Sequence, residues 1–306
     1  MKPATGLTRY RRVVVLALSA ALSACATAPT QLNGTLDIQG HRGFRGLYPE
    51  NTMAGFRAAL ELQVTTIELD LQITRDGVLV AHHDSSLNST LCVHDDGRPV
   101  EKLRLSQVDF TFLADIDCGS RPNRKFPEQR SVPGERIPQL DEVLKLAEQA
   151  DYPVHWNIEI KMDDSRRRRT VEEIAALVVE SVRAAGLGER TIIQSFDPEV
   201  LAVVAELAPE MGRAILTKSP SDFGLQVRNS RATILSPAYD VLSIAIIERY
   251  QRRGVAVIPW TVNTPEEMRR LIVAGVDGII SDYPDRVMMV LDEISKESSL
   301  VEQRQP

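Results

Sequence analysis

The chain is poor in the features that mark several protein classes. Of 306 residues only 3 are cysteine and 5% are aromatic, with 2 tryptophans. That excludes a disulfide-dense miniature scaffold, and 43% hydrophobic content over this length buries a large core without staples. No stripe of basic residues interleaved with aromatics occurs, and the formal charge is −6, so nothing invites nucleic acid. No GxGxxG follows the first β-like run, which weakens a dinucleotide-binding reading. Beyond the N-terminus no apolar run approaches the ~20 residues that span a bilayer. No feature points to a protein partner.

What is present begins with an export signal. Lys2, Arg9, Arg11 and Arg12 precede an apolar stretch at 13–22, and small residues lead into Cys25. Leu22-Ser23-Ala24-Cys25 resembles the bacterial lipobox, which implies removal of 1–24, lipidation of Cys25, and a polar linker over 25–35. The chain would then be anchored to a membrane without spanning it. Ala26 after the cysteine resembles lipoproteins sorted to the outer membrane of a Gram-negative cell, facing the periplasm. Cys92 and Cys118 would share that oxidising compartment, and a disulfide between them is expected, with two reduced thiols as the alternative.

From residue 36 the chain repeats a short β-branched run, a loop and a helical pattern. Strands are expected at 36–40, 66–73, 78–82, 154–160, 191–195, 213–216, 233–235, 255–260 and 278–281, and helices at 52–62, 140–149, 171–185, 198–207, 244–253 and 265–274. Such alternation predicts an α/β fold, a (β/α)8 TIM barrel over 36–295. Nine candidate strands compete for eight places, and 213–216 or 233–235 is expected to be the peripheral one. Thr74-Arg75-Asp76-Gly77 leaves no room for a helix, so the barrel is imperfect around its second and third strands. Residues 85–135 break the rhythm and read as an insertion covering the active end. The four arginines Arg166, Arg167, Arg168 and Arg169 read as a solvated face, or as a contact for anionic headgroups. Residues 296–306 read as a polar tail.

Chemistry concentrates at strand ends. In Thr66-Ile67-Glu68-Leu69-Asp70, a period of two puts Glu68 and Asp70 on one face, where they repel unless a cation lies between them. Asn157-Ile158-Glu159-Ile160-Lys161 repeats the pattern. Three carboxylates without cysteine or clustered histidine suit one divalent cation, Mg²⁺ or Ca²⁺, or else Mn²⁺, better than zinc. Lys161 would help to hold an anionic substrate. His41 and one of His82 and His83, which alternation sends to opposite sides, supply two proton carriers. His94 and His155 lack such company.

His41-Arg42-Gly43, Pro49-Glu50-Asn51-Thr52, Glu68-Leu69-Asp70, His83-Asp84, Ile137-Pro138-Gln139-Leu140, Glu159-Ile160-Lys161, Trp260-Thr261-Val262-Asn263 and 278–284, GIISDYP, together resemble the ordered motifs of the glycerophosphodiester phosphodiesterase family. The resemblance implies a metal-dependent barrel enzyme that releases an alcohol and glycerol 3-phosphate. It implies His41 and His83 as the acid/base pair, Glu68, Asp70 and Glu159 as metal ligands, Arg42 on the phosphate, Lys161 on the developing charge, and Trp260 against the glycerol. Asn51 and Thr52 read as helix caps, and Asp282 and Pro284 as the end of the last strand. The sequence after His83 reads Asn88-Ser89-Thr90 where the family usually has Arg-Thr-Thr. A lysophospholipase D or phosphoinositide-type phosphodiesterase on the same barrel is the nearest rival.

Overall fold

Each β-branched run becomes a strand and each amphipathic run packs outside it. The computed structural model describes residues 35–162 and 169–302. In chain order the strands are β1 (Asp37–Gly40), β2 (Thr66–Ile73), β3 (Leu79–Ala81), β4 (Val93–His94), β5 (Ile116–Asp117), β6 (His155–Ile160), β7 (Thr191–Ser195), β8 (Gly212–Thr217), β9 (Ile234–Pro237), β10 (Ala256–Val257) and β11 (Gly278–Ser281). The helices are α1 (Met53–Glu61), α2 (Leu140–Leu144), α3 (Val171–Ala184), α4 (Pro198–Leu207), α5 (Phe223–Ser230), α6 (Ile244–Gln251), α7 (Pro265–Val273) and α8 (Pro284–Glu302).

The barrel strands run in the order β10, β9, β8, β7, β6, β2, β1, β11, each parallel to its neighbours. Backbone bonds from Asp277 N–H to Val257 C=O (3.0 Å) and from Ile280 N–H to Pro259 C=O (3.0 Å) close the ring. This is the (β/α)8 barrel expected from the alternation. The choice of peripheral strand is corrected: 213–216 lies within β8 and 233–235 overlaps the start of β9, both in the barrel, and β3 is the outsider, antiparallel to β2 alone. The cause is the turn at 74–77, where Gly77 at φ 91° closes a bend with N–H to Thr74 C=O of 3.1 Å. A connection that short permits only an antiparallel return, because a parallel one needs a crossover of about a dozen residues.

Outward-facing residues form the main core against the helices. On α3 the buried positions Val171, Ile174, Ala175, Val178, Val179 and Val182 make a single stripe, and a capping box between Thr170 and Glu173 starts the helix. Burying each valine or isoleucine stabilises by about 1.5–3 kcal/mol. The insertion is ordered around a second apolar cluster, in which its Leu87, Leu105, Leu113 and Ile116 pack with Val80 of β3 and with Ile137, and it carries a two-stranded β4–β5 sheet and the expected Cys92–Cys118 disulfide. The last helix continues to Glu302, through residues that read as tail, with Arg269 paired to Glu293 and Glu297 at 2.9 Å each.

The export signal, Cys25 and most of its linker lie outside the described residues, as do Arg166, Arg167 and Arg168. Arg169 is described and lies beside the Gly77 turn. Among the described residues no helix is long and apolar enough to cross a membrane.

Candidate active site

The C-terminal ends of β1, β2 and β6 carry the chemistry. Parallel register pairs Asp70 with Glu159 and Glu68 with Asn157, so the inward parity read from the sequence becomes a carboxylate cluster. Carboxylate oxygens of Glu68, Asp70 and Glu159, all buried, lie within 4.8 Å of one another. Lys161 Nζ bridges two of them, 2.9 Å from Asp70 Oδ1 and 2.7 Å from Glu159 Oε1.

His41 and Arg42 follow β1 on a turn of unusual backbone, with Arg42 at φ 51° and Gly43 at φ 85°. A Cβ at Gly43 would meet the Gly55 carbonyl carbon at 2.7 Å, so the close approach to α1 admits only glycine. The turn aims the Arg42 backbone N–H at Glu68 Oε2 (2.8 Å). The Arg42 guanidinium is pinned by Glu50 Oε1 (Nη1, 2.7 Å) and Asp70 Oδ2 (Nε, 3.1 Å), and Arg45 holds the other Glu50 oxygen at 2.8 Å.

Charge here is unbalanced. Burial and the neighbouring Asp70 and Glu159 charges push the Glu68 carboxyl well above the usual range. Burial and Asp70 raise Glu159 to about 7 against the pull of Lys161. Burial also opposes ionisation of Asp70, yet Arg42 and Lys161 hold it well below the usual range. Three buried carboxylates face only two cations, Arg42 and Lys161, and so lack positive charge. The all-oxygen donor set, its spacing and this shortfall of positive charge fit one hard divalent cation.

Each candidate histidine is held by an aspartate. His41 Nδ1 lies 2.6 Å from Asp282 Oδ1, and His83 Nδ1 lies 2.8 Å from Asp84 Oδ1. Burial works against the Asp282 charge, but His41 holds its pKa at about 2; the hydrogen bond to His83 holds Asp84 at about 2. An ionised carboxylate only accepts, so both Nδ1 atoms carry hydrogen and both Nε2 atoms are left to work on substrate. Burial lowers the His41 pKa more than Asp282 restores it. His82 turns away and bonds the Asp84 carbonyl through Nδ1 (2.8 Å).

His83, Glu159 and Lys161 line one groove of about 1220 Å³, walled by 85–89 of the insertion and by Phe196 and Pro198. Trp260, at the end of the β10 segment, donates Nε1–H to Ser236 C=O (2.8 Å) and meets Phe196 edge-to-face at 5.5 Å, with Lys218 Nζ 5.9 Å above its ring. It packs on the inner barrel cluster as well as reaching the mouth.

The model of the glycerophosphoryl diester phosphodiesterase family matches residues 41–286. The chain belongs to this family. A glycerophosphodiester phosphodiesterase of Caldanaerobacter subterraneus subsp. tengcongensis is 35% identical, over 82% of this chain and 96% of the relative. One from Bacillus subtilis (strain 168) is 33% identical, over 80% of this chain and 83% of the relative. A crystal structure of a Silicibacter pomeroyi DSS-3 protein given the same family name superposes with TM-score 0.81 at 28% identity, covering 85% of this chain and 94% of that one.

In this phosphodiesterase two sequence readings need correction. Thr52 does cap α1, accepting from Gly55 N–H, but Asn51 does not. At φ 52° Asn51 turns back to Asp70, donating Nδ2 to Oδ2 (2.8 Å) and accepting the Asp70 N–H (3.2 Å). Asp282 does more than end β11, since it holds His41 and is itself bound by Asn263 Nδ2 at 2.7 Å. Arg45 and Gln194, which donates to Glu68 Oε1 at 2.8 Å, were missed. The parity of β7 signalled Gln194; nothing local signalled Arg45.

Proposed function

We propose that this site hydrolyses glycerophosphodiesters to an alcohol and sn-glycerol 3-phosphate. The observation that carries the reading is three buried carboxylates and two cations converging between two aspartate-held histidines. Glu68, Asp70 and Glu159 would hold one divalent cation, Mg²⁺ or Ca²⁺. When bound, the cation supplies positive charge against the anionic phosphoryl group as it becomes more negative.

The residues of the chain do the rest. Arg42, fixed by Glu50 and Asp70, keeps Nη2 for a phosphate oxygen, and Lys161 adds charge where water is excluded. His41, buried and with lowered pKa, rests neutral and accepts the nucleophile's proton on Nε2. His83 lines the groove and gives its proton to the departing alkoxide as the P–O bond breaks. The nucleophile is water, or the glycerol 2-hydroxyl followed by hydrolysis of the cyclic phosphate. Trp260 and Phe196 present an apolar wall for the glycerol carbons.

Export and lipidation at Cys25 complete the reading. The chain enters the barrel at the N-terminal end of β1, opposite the residues proposed to act on substrate, so an anchor at Cys25 would leave the mouth of the barrel unobstructed. Cys25→Ala moves the protein from the membrane fraction to the soluble one; unchanged membrane retention rules out this anchor.

The division of labour is tested with two leaving groups. His83→Ala loses turnover of glycerophosphocholine and keeps much more on a diester whose leaving group is a nitrophenol, which needs no acid. Equal losses on both would overturn the assignment of His83 as the acid.

A further inference from the structure

Inside the barrel, below the carboxylate cluster, three side-chain amides form a continuous chain. Asn157 Nδ2 donates to Gln194 Oε1 (3.0 Å) and to Gln39 Oε1 (2.7 Å). Gln194 Nε2 donates onward to Glu68 Oε1 (2.8 Å), and Gln39 Nε2 donates to Asp37 Oδ2 (2.6 Å). Asp37 is fully buried at the floor of the barrel, and its other oxygen accepts Thr66 Oγ1–H at 2.7 Å.

The chain has one permitted direction. Asp37 as a carboxylate and Glu68 as a carboxylate ligand to a cation accept only, so each glutamine presents its amino group outward and its oxygen inward, as observed. The hub must then donate both hydrogens of Nδ2, which it does. Its own Oδ1 is buried and has no hydrogen-bond partner. A buried acceptor left unpaired is unfavourable, and turning the Asn157 amide to pair it would break both outgoing bonds. The hub therefore holds an orientation that serves its neighbours. Were Gln194 to flip, its oxygen would face Glu68 Oε1 and repel it.

We infer that Gln39, Asn157 and Gln194, anchored on Asp37, are positioning residues that hold the Glu68 carboxylate as a cation ligand. The inference rests on the metal-site reading above. With the Arg42 backbone N–H on Oε2 and Gln194 on Oε1, the Glu68 carboxylate plane is fixed from both sides before any cation arrives. Asp37 acts at a distance: it touches no ligand, yet it sets the polarity of every amide between itself and Glu68.

The test is cation affinity, read without turnover. Chelator-stripped full-length protein is titrated with Mg²⁺ or Ca²⁺ alone by isothermal titration calorimetry, and the Tm of each stripped variant reports folding. Gln194→Met is expected to weaken binding about 10- to 100-fold. Asn157→Leu, which frees Gln194 to flip, should weaken it about tenfold, and Asp37→Asn should act in the same direction by a smaller factor. If Gln194→Met does not fold, Asn157→Leu and Asp37→Asn decide. Folded variants that bind the cation with wild-type affinity, whatever their Tm, would reduce the chain to packing and overturn the proposal. Wild-type protein that binds neither cation would instead overturn the metal-site reading beneath it.

Discussion

The inside of the barrel is divided. On one side Ile192, Ala214, Ile234, Ile258 and Ile280 form a separate dry cluster from β7 to β11. On the other, β1, β2 and β6 contribute Asp37, Gln39, Thr66, Glu68, Asp70, Asn157 and Glu159, all buried. Strand β7 stands at the seam, giving Ile192 to one half and Gln194 to the other. The same architecture and the same inward parity thus serve two purposes. The apolar half gains stability from burial and dispersion. The polar half spends burial on groups that must be hydrogen-bonded or paired, and in return it fixes three carboxylates together, where the proposed cation and substrate would meet.

Substitutions are therefore expected to separate by half. The largest effect is expected at the catalytic end: His41→Ala should lower kcat about 100- to 10,000-fold with little change in Tm, checked by product release and calorimetry. Next comes Asp37. Burial raises its pKa to about 6, against the lowering by Thr66 and Gln39. The folded state therefore binds its proton more tightly than the unfolded chain. Stability from this group is fully present below about pH 3.9 and is lost as pH rises through about 6, a total of about 3 kcal/mol. Denaturant titrations from pH 4 to pH 7 should show this fall in wild type relative to Asp37→Asn; parallel profiles would remove the buried charge from the account.

Smaller effects sharpen the comparison. Asn263 both accepts the Asp282 N–H (3.0 Å) and donates to Oδ2, so Asn263→Ala should loosen the His41 partner and lower kcat about tenfold, equivalent to about 1.4 kcal/mol. Ile258→Val in the dry half should destabilise by about 0.5–1.5 kcal/mol and leave turnover per folded molecule and cation affinity unchanged. A change in cation affinity there would mean that the two halves are not independent.

The barrel and the cluster of three carboxylates were legible in the chain because both rest on periodicity. A period of two put Glu68 with Asp70 and Glu159 with Lys161, and register then joined the two pairs. What escaped was of a different kind. Asn51 passed for a cap beside Thr52 because both residue types cap helices, and only its left-handed backbone turns it to Asp70. Asp282 and His41 are 241 residues apart and meet only because the barrel closes β11 against β1. The peripheral strand was misplaced because β8 and β9 look short in sequence, whereas the tight turn at 74–77 carried the decisive signal.

The most direct measurement is release of sn-glycerol 3-phosphate from glycerophosphocholine by the purified protein, first in excess chelator and then with Mg²⁺ or Ca²⁺ restored. The polar half predicts turnover that vanishes with the chelator, returns with the cation, and does not return in Glu159→Gln. Full turnover in excess chelator, or wild-type turnover in Glu159→Gln, would contradict it.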